Sequence, residues 1–183
     1  MSDIVLAASS QAINVFVVID TEKIKNGGYA ISKDKNKPVG IRHDSQYMLV
    51  TGARKVIAGQ GTADLHFMAN VGDIVGFTGT SFYDNSEDAV IVYGIQRFAG
   101  VEVFNRFVSN KVTRNRAVEP NTETDDGLPA VPVKLNFSTY DSKVRNSGRE
   151  DFYVLIALYT LAADGQTQEL HGYYYWDPTI TVS

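Results

Sequence analysis

The stretch Glu169–Val182 reads ELHGYYYWDPTITV, and its four consecutive aromatic residues followed by Asp177-Pro178 decide how the chain is read. A β-strand sends successive side chains to opposite faces. With Leu170, Gly172, Tyr174 and Trp176 turned to a core, His171, Tyr173 and Tyr175 stand together on the other face. Pro178 has no N–H for a ladder and ends the strand's hydrogen bonding. Trp176 has two readings: a core ring sealing one end of the fold, or an exposed ring able to stack on a ligand. The outer row is either covered by another layer of protein or presents an aromatic platform.

Working upstream, Asp151–Leu161 is a long apolar strand that ends at Ala162-Ala163-Asp164-Gly165. Asp-Gly between two apolar runs predicts a hairpin, so the last two long strands are expected to be antiparallel neighbours. Ile13–Ile19 is a continuous β-branched and aromatic run, as in a strand buried on both faces. Val133, Leu135, Phe137 and Thr139 alternate with Lys134, Asn136, Ser138 and Tyr140, the pattern of a half-buried strand. Further strands are expected over Gln46–Thr51, Ala63–Ala69, Asp73–Thr78, Ala89–Phe98 and Val101–Val108. Helical signal is limited to one turn at Thr21–Ile24, which Gly27-Gly28 ends. About eight to nine strands in one chain predict an all-β fold, an antiparallel β-sandwich, with a closed β-barrel as the alternative.

The 183 residues suit a single domain, 1–183, with residues 1–12 as an N-terminal segment. Two long loops are expected. Lys25–His43 is polar and reads as a solvated excursion. Residues 109–131 read as a long loop whose charges are sorted: Arg106, Lys111, Arg114 and Arg116 come first, then Glu119, Glu123, Asp125 and Asp126. Such sorting has two readings, an ordinary solvated loop or a self-complementary pair of patches that orders the association of copies.

Composition removes several function classes. A net charge of −4 does not supply the basic field of a nucleic-acid binder. No cysteine is present, so disulfides, thiolate catalysis and cysteine-ligated zinc are excluded together. The first ten residues lack the positive n-region of a classical signal peptide, and no stretch approaches a membrane span. A cytoplasmic protein with no membrane partner is expected.

Candidate chemistry is sparse. Asp64 and His66 share a face by strand alternation and could form an acid–base pair or two metal ligands, against the plainer reading of a surface hydrogen bond. His43 lies in a polar loop with less to recommend it. Asp84–Asp88 lacks the spacing and glycine of a calcium loop. Gly59-Gln60-Gly61 and Gly76–Gly79 have no P-loop lysine and read as turns with positive φ. No serine elbow occurs. A non-enzymatic protein is expected, with no catalytic residues, no metal and no cofactor.

Several motifs in order carry a resemblance: Asn14–Ile24 (NVFVVIDTEKI), Gly59–Leu65 (GQGTADL), Val71–Val75 (VGDIV), Asp88–Tyr93 (DAVIVY) and Gly172–Val182 (GYYYWDPTITV). Over almost the whole chain, from about Asn14 to Val182, the sequence resembles the bacterial PixA/AidA inclusion-body protein family. The resemblance implies a small bacterial protein linked to cell-density-regulated expression, intracellular inclusions and host association, with no catalytic residues to carry over. Only Met1, Met48 and Met68 occur, unlike the methionine-rich namesake. The expected partner is another copy of the chain in a homo-oligomer. The alternative is a lectin-like module in which Tyr173, Tyr175 or Trp176 stacks on a glycan or host ligand while Asp64 or Asp177 accepts hydroxyl protons.

Overall fold

The computed structural model describes residues 10–183. Most of the expected N-terminal segment lies outside the described residues. In chain order the elements are β1 (Ala12–Ile19), α1 (Thr21–Asn26), β2 (Val39–Gly40), β3 (Gln46–Thr51), β4 (Lys55–Ala58), β5 (Leu65–Met68) and β6 (Ile74–Ser81). They continue with β7 (Ala89–Gly100), β8 (Val108–Glu119), β9 (Val131–Lys143), β10 (Gly148–Leu161), β11 (Gln168–Trp176) and β12 (Thr179–Val182). One sheet has the order β3-β1-β6-β9-β8, and the second runs β2-β11-β10-β12-β5-β4 with β7 also on β10.

This is a β-sandwich, not a closed barrel, but its sheets are mixed where the sequence predicts antiparallel ones. β1 and β6, β11 and β2, and β12 and β5 pair in parallel. Turn chemistry reports only strands joined by a hairpin, and these three pairings join strands far apart in the chain. The expected hairpin is present: Val154 to Leu161 pairs with Trp176 to Gln168. Asp164 closes its turn by accepting the Gln166 and Thr167 N–H groups and the Thr167 hydroxyl, which lowers its carboxyl to about 2. Strand β10 is the spine of the second sheet. β7 runs along one side of it, and β12 and β11 succeed one another along the other.

The core fills the space between the sheets. β1 contributes Ile13, Val15, Val17 and Ile19, whereas Phe16 on its other face is exposed. That strand is therefore half-buried, and the expectation of burial on both faces is corrected. Its outer face carries Ala12, Asn14, Phe16 and Val18. Val101–Val108 is not a strand: Phe104 makes one isolated bridge to Val144, while Val103, Phe104 and Phe107 insert into the core. Gly59 and Gly61 have positive φ as expected, but Gly76 and Gly79 are ordinary strand residues of β6. A Cβ at Gly79 would meet the Val92 side chain at 2.7 Å, so close packing and not turn geometry calls for glycine there.

The expected loop over residues 109–131 is corrected most. β8 and β9 pair from Val108–Asp141 to Glu119–Val131, with a bulge between Arg114 and Ala117. Only Tyr140 to Lys143 of β9 joins β6, so the rest is a two-stranded ribbon extending past the sandwich. β8 is exposed on both faces, so it carries no apolar alternation that would reveal a strand.

Among the described residues, three buried carboxylates tie the irregular segments down. Asp88 accepts the Thr21 hydroxyl at 2.6 Å and faces Lys25 Nζ at 2.7 Å, fixing α1 to the start of β7. Asp73 accepts the Gln11 N–H at the entry to β1. Glu150 accepts the backbone N–H groups of Val103 and Phe104. Burial outweighs these donors and raises the Glu150 carboxyl above its ordinary value of 4.5. A raised carboxyl favours the folded state below its unfolded pKa, and that contribution is lost as pH rises through the folded value. Glu150→Gln is therefore expected to remove it. Urea unfolding from pH 4.5 upward should show the wild-type advantage over the variant shrinking as pH rises.

Candidate functional site

The outer face of the second sheet holds the aromatic row. Leu155 pairs with Tyr175 and Ala157 with Tyr173 across β10 and β11, and Tyr153 and Gln96 lie beside them. Tyr153 meets Tyr175 edge-on at 5.0 Å and stacks on Phe98 at 4.3 Å; Tyr93 meets Tyr173 edge-on at 5.4 Å. Tyr173 and Tyr175 thus face outward as the alternation predicts. They do not form an open platform.

The chain between α1 and β3, expected to be a solvated excursion, folds back over this row. Ser32 accepts the Tyr173 N–H at 2.9 Å, β2 pairs with Tyr174 and Tyr175, and Ile41 donates its N–H to the Tyr175 carbonyl. Tyr93 donates its hydroxyl to the Lys35 carbonyl at 2.9 Å, and burial pushes its phenol up to about 12, with Tyr173 and Asp34 adding to the shift. Between the Lys35–Pro38 turn and the sheet remains a cleft of about 590 Å³, lined by Tyr93, Tyr153, Tyr175 and Gln96. Tyr93→Phe removes the bond that holds the turn and should cost about 0.5–1.5 kcal/mol by urea unfolding.

Trp176 is fully buried with Tyr174, which removes it from the contact residues. His171 is also displaced from the outer row. The register shifts between Leu158 and Tyr159, where Leu158 faces Gly172 and Tyr159 faces Leu170, so His171 is the extra residue of a β-bulge. A bulge interrupts alternation, and the imidazole stacks 20° from parallel on the inward Tyr174 ring, 6.1 Å away. Burial, with Lys33 and Lys25 nearby, lowers its pKa and favours the neutral ring.

Asp64 and His66 are not brought together as a pair. His66 lies 3.3 Å from the Ser183 hydroxyl, while Asp64 accepts the Thr179 N–H at 2.7 Å. The histidine that meets carboxylates is His43, with Asp177 at 2.9 Å and Asp64 at 3.7 Å. These three side chains pin the Trp176–Thr179 corner to the segment before β3. All three are more than a third exposed, so each contact is worth about 0–1 kcal/mol. Sequence spacing gives no hint of His43, because its partners lie far along the chain. Among the described residues, no group of three or more His, Asp or Glu is arranged to hold a metal ion.

A two-layer mixed β-sandwich with a strand-crossed tyrosine cleft and a projecting ribbon defines the class of protein. The family model described as PixA, inclusion body protein, matches residues 11–182. The chain belongs to the PixA inclusion body protein family. It is similar to the crystal structure of an inclusion body protein (PixA) from Burkholderia cenocepacia J2315, with 26% identity and a TM-score of 0.75 over 97% of this chain and 99% of that one. A search of curated proteins returned no match. No helix among the described residues is long and apolar enough to cross a membrane.

Proposed function

We propose that this PixA-family protein acts by assembling with copies of itself, as an inclusion-forming accessory protein of the cytoplasm, and not by catalysing a reaction. The observation that carries this reading is the outer side of the first sheet. Register places Phe16, Leu49 and Ile74 of the body, and Val108, Leu135 and Phe137 of the ribbon, on one side of that sheet. Each of these apolar side chains is exposed. Exposed apolar side chains gathered on one side of a sheet support association through it. Size-exclusion chromatography with light scattering should show a mass above one chain that grows with concentration; a monomer at the highest concentration reached would refute the reading. Expression that tracks cell density, and a role in host association, accompany the family resemblance. Transcript levels measured across growth phases test the first of these.

A second reading is favoured by the tyrosine cleft. Tyr153 and Tyr175 supply ring faces for a pyranose, and Gln96 with the Lys35–Pro38 turn supplies hydrogen-bonding groups to its hydroxyls. A glycan array run with and without calcium tests it. Binding that Tyr153→Ala abolishes would support it, and an array without hits removes it.

A further inference from the structure

We propose that two copies of this chain associate through their β8–β9 ribbons, packed face to face and antiparallel about a twofold axis, with the acidic turn of each ribbon against the basic shaft of the other. The inference rests on the self-association reading above and names the surface and geometry that serve it.

The ribbon is amphipathic in a way its own chain does not use. Val112 lies opposite Phe137, and alternation puts Leu135, Val133 and Val131 on the same face, together with Arg114 opposite Leu135 and Glu119 opposite Val131. The other face carries Lys111, Thr113, Asn136 and Ser138, with Thr113 bonded to Asn136 at 2.7 Å. Along β9, period-two patterning of this kind belongs to a strand with one side buried. Here the apolar side is open: Leu135 is 39% exposed and Phe137 48%. A two-stranded ribbon by itself is marginally stable in water, so a partner on this face supplies what the sandwich does not.

Charge identifies the partner as a second copy and sets its direction. Arg106, Lys111, Arg114 and Arg116 occupy the base and middle of the ribbon; Glu119, Glu123, Asp125 and Asp126 cluster at its turn. All are exposed, and among the described residues none of them forms an ion pair within the chain. A twofold contact must be complementary to itself. Two ribbons running antiparallel set the acidic turn against Arg114 and its bulge neighbour Arg116 twice, whereas parallel packing would stack like charges. Lysine and arginine along β8 also oppose edge-to-edge strand addition, which leaves the apolar face as the contact.

The test is charge exchange in the full-length protein, read by light scattering. Arg114→Glu with Arg116→Glu, and separately Glu123→Lys with Asp125→Lys, should each weaken association by about tenfold or more. Combining all four should restore it. These positions lie outside the core, and matching circular dichroism confirms that each variant is folded. Wild-type association that survives both single-sided reversals, or a combined variant that stays dissociated, overturns the ribbon pairing while self-association stands. A wild-type protein that is monomeric throughout overturns both.

Discussion

Trp176→Ala is expected to cost about 3–5 kcal/mol of folding stability, among the largest effects available to a single substitution in this chain. The indole is fully buried on the inner face of β11, paired through the backbone with Val154 of the spine strand. It sits one residue before the corner that leads into β12, so the cavity opens where two strands change places along β10. Its Nε1–H has no acceptor among the described residues, so the loss is one of packing and not of a hydrogen bond. Trp176→Phe keeps much of the volume and removes the unpaired donor, and should cost clearly less. Because Trp176 is the one tryptophan of the sequence, unfolding must be followed by circular dichroism. A loss below about 1 kcal/mol for the alanine variant would mean that the ring is not part of the core.

Asp73→Ala should be comparable, about 3–5 kcal/mol, by a different route. The carboxylate is buried in the turn before β6 and accepts from Gln11 N and Asn70 N at 2.8 Å each, with Arg54 Nη2 at 3.3 Å. Alanine would leave these donors unmatched at the point where β1 enters the sheet. Burial alone would raise the Asp73 pKa; the Gln11 and Asn70 N–H groups and the Arg54 charge overcome it and hold the carboxyl below its ordinary 3.8. A lowered carboxyl contributes stability that is complete above the unfolded pKa and is lost as pH falls through the folded one. The gap between wild type and Asp73→Asn should therefore narrow on acidification below about 3.8, opposite in sign to the trend expected for Glu150. Chemical unfolding at a series of acidic pH values separates the two.

The parts of the fold that were legible in sequence are those governed by neighbouring residues. The β10–β11 hairpin follows from Asp164-Gly165, and the short turn of helix at α1 from its end at Gly27. Tyr174 and Trp176 inward, Tyr173 and Tyr175 outward, follow from alternation, which fails one bulge earlier at His171. What was illegible depends on distant segments. β12 is four residues that follow a proline, and only its place between β10 and β5 makes it a strand. The cover on the tyrosines comes from a polar stretch more than a hundred residues away, and His43 finds Asp177 across a similar span. The ribbon's β8 was hidden by its charges, while β9 showed its alternation openly. That alternation predicted burial which one chain does not provide.

The position of β12 bears on biosynthesis. Thr179–Val182 lies inside the second sheet, hydrogen-bonded to β10 on one side and β5 on the other. During synthesis that sheet cannot be completed until Thr179–Val182 have emerged from the exit tunnel, well after β5 has done so. Until then β5 and β10 have open backbone edges, the state in which crowded polysomes favour premature aggregation.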